Sequence, residues 1–213
     1  MRGRGVVEGI RFAAGVASAP SAVVNLWKAA TGGKAVGCVP ATPVPELLLA
    51  AGMLPIAVES PKDISLLSGQ LDAWLVGTDP PPFHVPDAVA PRFVLPSTKP
   101  ADVEEGLDRL EALAEWVCAV SCLPASEGRL WKSIRAHAAR RSLLDALDDR
   151  CDGEPAFLAP EERRDIVRAG IFLPPEAHCS LISNILGVDP EPAAIPPEGE
   201  HGDPLLVLAK RLM

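Results

Sequence analysis

Four short apolar runs constrain this chain more than any other feature: "KAVGCV" (34–39), "PIAVE" (55–59), "AWLVG" (73–77) and "RFVLP" (92–96), each bounded by Gly, Pro or Asp. Strands covered on both faces read as continuous apolar runs of this length rather than as alternating patterns. Short helical pieces separate the first three: "VPELLLAAG", opened by Pro45 and ended by Gly52, and the stretch "SPKDISLLSGQL" (60–71). Parallel strands need such crossovers, whereas hairpins do not. The pattern therefore predicts an α/β fold with a small parallel, doubly wound sheet. The link "TDPPPFHVPDAVAP" (78–91) carries too many prolines to form a helix.

The rest of the sequence has helical periodicity. Val6, Val7, Ile10, Ala13, Ala14 and Ala17 recur at helical spacing before a break near Pro20, and Val23, Val24, Leu26 and Trp27 predict a second short helix. From Pro100 onward Val103, Leu107, Leu110, Ala114 and Val117 form one stripe. Leu130, Ile134, Ala138, Leu144 and Leu147 form another after a turn at "CLPAS", with Ser126 as N-cap, so a helical hairpin is expected. Two further helices fit "PEERRDIVRAG" and "PPEAHCSLISNILG", opened by prolines and closed by Gly170 and Gly187. The expected organisation is an α/β lobe with N-terminal helices over 1–99, a helical lobe packed on it over 100–188, and a proline-rich linker with a C-terminal docking segment, "PLLVLA" (204–209), over 189–213.

At 213 residues and 48% hydrophobic content the chain can bury one substantial core. Its 28 acidic against 20 basic residues, a formal charge of −8, repel phosphate backbones and argue against nucleic acid as a partner. No run of about 18 apolar residues is present, so no membrane partner is expected and the protein reads as soluble and cytoplasmic. Five cysteines at uneven spacing do not form the framework of a disulfide-stapled secreted domain, and reduced thiols are expected.

Few side chains stand out as chemical candidates. Cys118 and Cys122, four apart on a helix, can present two thiolates to a metal, but their apolar neighbours Trp116, Val117, Val120 and Leu123 read as core. His178 and Cys179 are adjacent, and adjacent helical positions diverge; His84 and His201 fall in a loop and the tail. Arg140-Arg141 and Arg163-Arg164 read as solvated helix faces, although arginine pairs also suit a coenzyme A phosphate. Glu46, in the first turn of the helix after the first strand, favours the helix dipole; Glu59 closes the second strand, at the end where open α/β sheets bind ligands. No glycine-rich phosphate loop is present.

The stretch "KAVGCVPATPVPELLLAAGMLPIAV" resembles the N-terminal region of the benzoyl-CoA reductase / 2-hydroxyacyl-CoA dehydratase family through Gly37, Pro40, Glu46, Ala50, Ala51, Gly52, Leu54 and Pro55. "DAWLVGTD", "LPASEGRLWKSIRAHAARRSLLDALDDR" and "IVRAGIFLPPEAHCSLI" are similar to later segments of the same family, nearest its reductase-type small subunit. The resemblance implies flavodoxin-like lobes, an oxygen-sensitive 4Fe-4S cluster held by cysteines between two lobes, and acyl-CoA thioester substrates in anaerobic metabolism; cluster ligation needs thiolates converging from several loops.

The sequence departs from that pattern. Pro40 stands in the turn that can hold a ligand cysteine, leaving Cys38 on the strand as a weak metal candidate. Pro80 and Pro81 stand where the family has a Cys-Asp step, and the long insert between the second and third strands is reduced to residues 60–71. The match spans the first lobe, so a cluster held between two lobes would lack one wall. The resulting expectation is a single-lobe accessory relative, with no catalytic residues of its own. It would carry no cofactor on the isolated chain, a 4Fe-4S cluster being possible only with a partner. That partner would be a larger family subunit or another acyl-CoA enzyme, with a homo-oligomer also open. Glu46 and Glu59 are the substrate-binding candidates. The alternatives are a truncated working subunit completed by a partner chain, and a stand-alone acyl-CoA binding module.

Overall fold

The computed structural model describes residues 3–39, 44–67, 69–79, 83, 85, 90–96, 100–121, 123 and 125–189. Of the residues singled out in the sequence, Pro40, Pro80, Pro81, His84, Cys122, His201 and the 204–209 segment lie outside the described residues. Among those described, the elements run α1 (Arg4–Ser18), α2 (Pro20–Thr31), β1 (Lys34–Val39), α3 (Pro45–Ala50), β2 (Met53–Ala57), α4 (Pro61–Leu66), β3 (Ala73–Gly77), β4 (Arg92–Leu95), α5 (Val103–Ser121), α6 (Glu127–Gly153), α7 (Pro160–Phe172) and α8 (Pro175–Leu186).

The four strands form one all-parallel sheet in the order β2-β1-β3-β4, the α/β, doubly wound arrangement expected from the apolar runs and consistent with a small flavodoxin-like sheet. β1 and β3 occupy the bounds read from the sequence. β2 begins two residues earlier than Pro55 and ends at Ala57. Gly52, at φ 73°, closes α3 and feeds the strand directly, a left-handed position that favours glycine. At the other end the Val58 amide still donates to Cys38 O at 3.0 Å, but the Glu59 amide is diverted to the Asp63 carboxylate. β2 is an edge strand, which tolerates Pro55 without an N–H.

Compactness divides the described residues into two units, one within 25–134 and one joining 3–24 with 135–189. In the first, one face of the sheet (Val36, Cys38, Met53, Ala73, Leu75) meets Leu47 and Leu48 of α3 and Leu110, Leu113, Ala114 and Val117 of α5 in a single buried cluster. Burying a leucine-sized side chain contributes about 1.5–3 kcal/mol, so this layer dominates the unit's stability. The Asp102 carboxylate caps α5 by accepting from the Glu105 amide at 2.8 Å.

In the second unit α1 packs against α7 and α8. Pro160 and Pro175 open their helices and Gly187, at φ 70°, closes α8 in the left-handed conformation, all as the sequence predicts. Gly170 does not close α7, which continues to Phe172 and stops where Leu173 takes an extended conformation ahead of Pro174. The glycine answers a packing need instead. A Cβ built there would lie 2.3 Å from His178 Cε1 and 2.4 Å from Nδ1, so only glycine lets the imidazole of α8 reach the α7 backbone.

Candidate functional site

Open α/β sheets bind ligands beyond the carboxyl ends of their strands, where the order of winding reverses. Here the reversal falls between β1, followed by β2 on one side, and β3 on the other. Register brings the carboxyl ends level: Cys38 pairs with Ala57, and Val39 with Val76. The described residues that leave this edge are Val58, Glu59 and Ser60 after β2, Thr78 and Asp79 after β3, and Pro96 after β4, with the Thr78 amide donating to Leu95 O at 3.0 Å.

Of the two candidate carboxylates, Glu59 is exposed at this edge and Glu46 is nearly buried. Glu46 sits in the first turn of α3 beside Pro45, on a helix whose Leu47, Leu48 and Ala50 are also buried. Both residues belong to segments that follow the carboxyl ends of neighbouring strands, but Glu59 follows the edge strand rather than flanking the β1/β3 reversal. The turn after Glu59 is held by Asp63, 1% exposed, whose carboxylate accepts from the Glu59 amide at 3.1 Å and from Ser60 Oγ at 2.9 Å. Ser60 Oγ in turn accepts from the Asp63 amide, capping α4. Sequence reasoning passed over Asp63, although "SPKD" carries the cap-and-acid spacing that signals it. It also passed over Thr78 and Asp79, which stand directly beyond β3 in "LVGTD".

Cys38, the weak metal candidate, lies inside the sheet. It is fully buried in the sheet core, and desolvation pushes its thiol up to about 12 despite a hydrogen bond with the backbone of Ile56. Without a metal the thiol is therefore held protonated. Cys118 Sγ accepts from the Ala125 amide at 3.4 Å, and burial raises the thiols of Cys151 and Cys179. Among the described residues no group of three or more His, Cys, Asp or Glu side chains is placed to hold a metal ion.

At the opposite, amino edge of the sheet the polar contacts are architectural. Asp72 Oδ2 accepts from the Ala35 amide at 2.7 Å and pairs with Lys28 Nζ at 2.7 Å, while the Asp72 amide donates to Ala35 O. This reciprocal clasp fixes β1 against the start of β3 and ties α2 to both.

In the helical unit His178, 1% exposed, lies at 2.9 Å from Ile166 O through Nε2. A carbonyl only accepts, so Nε2 carries the proton and Nδ1 is left as a lone pair with no partner among the described residues. Burial, reinforced by Arg140 and opposed by the Ile166 carbonyl, pushes the imidazole down to about 4, so it is neutral at physiological pH. Cys179, its neighbour, turns to Ala136 O at 3.9 Å on α6, confirming that the two side chains diverge. Arg140 donates to Gly170 O, and Arg163 pairs with Asp148 at 2.7 Å across the exposed α6–α7 surface.

No protein-family model matches the chain, and no curated protein matches it. Among the described residues no helix is long and apolar enough to cross a membrane.

Proposed function

We propose that this protein is an acyl-CoA-responsive accessory subunit of the benzoyl-CoA reductase / 2-hydroxyacyl-CoA dehydratase type, working beside a larger acyl-CoA-processing protein. The observation that supports the reading is the parallel order β2-β1-β3-β4: Thr78 and Asp79 follow β3 beside the β1/β3 reversal, and Glu59 follows the edge strand β2, at the carboxyl edge where open α/β sheets bind ligands. The substrate class comes from the resemblance of residues 30–187 to that family. An exposed carboxylate at Glu59, on a turn fixed by Asp63, suits an amide N–H of a pantetheine arm, because a charged acceptor makes the stronger hydrogen bond. Radical chemistry on the isolated chain is not part of the proposal: by the resemblance Pro40 stands in the turn that can hold a ligand cysteine and Pro80-Pro81 stand at the family's Cys-Asp step, while the Cys38 thiol is buried in the core.

An anaerobic pull-down with the tagged chain tests the association. Recovery of an iron-sulfur acyl-CoA enzyme, with stoichiometric iron on the partner and not on this chain, supports the reading. Stoichiometric iron and sulfide retained on the isolated chain would instead make it a cluster-bearing subunit and overturn the accessory role.

A further inference from the structure

We draw no further inference here: the strongest candidate, the cavity of about 610 Å³ where the start of α1 meets the ends of α6 and α8, carries nothing because its guanidinium, Arg150, is already engaged by Glu154 and the Phe157 ring and its remaining positive character is the bare N-terminus of a helix, with no second feature that points to a ligand.

Discussion

Replacing Gly170 with alanine tests how the helical unit is held together. Alanine gains about 1 kcal/mol over glycine inside a helix, so propensity alone predicts stabilisation. The new methyl, however, would lie 2.3 Å from His178 Cε1, against the 3.4–4 Å of ordinary contact. The ring cannot retreat without lengthening its 2.9 Å bond to Ile166 O, which would leave the buried Nε2–H without its acceptor. Overpacking costs about 1–3 kcal/mol and the lost hydrogen bond about 1–3 more, so the clash outweighs propensity. Gly170→Ala is expected to lose about 2 kcal/mol, lowering the melting temperature by roughly 4–8 °C for a chain of this size. Urea and thermal denaturation followed by circular dichroism read this directly. His178→Ala empties the space the methyl needs, so the double variant should be less destabilised than the two single variants together. A Gly170→Ala protein as stable as wild type, or about 1 kcal/mol more stable, would refute the packing argument.

His178 also sets a pH dependence. Its folded value of about 4 lies below the ordinary 6.5, so the unfolded chain binds the proton more tightly; the histidine's contribution is complete above pH 6.5 and is lost as pH falls towards 4. The loss approaches about 3 kcal/mol, and His178→Gln, compared by denaturation across this window, should show a flatter profile; identical profiles would rule out the histidine. Cys38 should resist a thiol reagent in the native protein at pH 8 and react once denatured, as peptide mass spectrometry would show; labelling at a free thiol's rate contradicts its burial. Asp72→Ala should cost about 1–3 kcal/mol by stranding the Ala35 amide and leaving Lys28 with only its bond to Gln70 O, with Asp72→Asn milder because it keeps an acceptor; equal, negligible losses in a urea titration would dissolve the proposed clasp.

The two central strands were legible because they are buried along nearly their whole length: apart from Lys34 at its start, "KAVGCV" and "AWLVG" carry no polar side chain, and their bounds are those observed. The ends of β2 were less legible because they depend on where amides go. Val58 stays on the ladder, whereas Glu59 is captured by a carboxylate four residues later. Gly170 misled for a related reason, since a glycine that ends a helix and one that admits a neighbouring ring look alike until the neighbour is known. His178 read as structural from its adjacency to Cys179, but its partner, a carbonyl on α7, has no signature in side-chain sequence. Of the candidate site, the sequence located Glu59 at a carboxyl strand end; it had no means of telling that β2 would be the edge strand, because strand order is set by tertiary packing.

Calorimetric titration of the purified chain with an aromatic or 2-hydroxyacyl-CoA thioester tests the central claim most directly, with the free acid as control and Glu59→Gln as the site variant. The account predicts saturable binding of the thioester, no binding of the acid, and about a tenfold weaker dissociation constant for Glu59→Gln at unchanged circular dichroism and melting temperature, equivalent to about 1.4 kcal/mol. A wild-type chain that does not bind the thioester would contradict the proposed function, and binding unchanged in folded Glu59→Gln would remove Glu59 from the site.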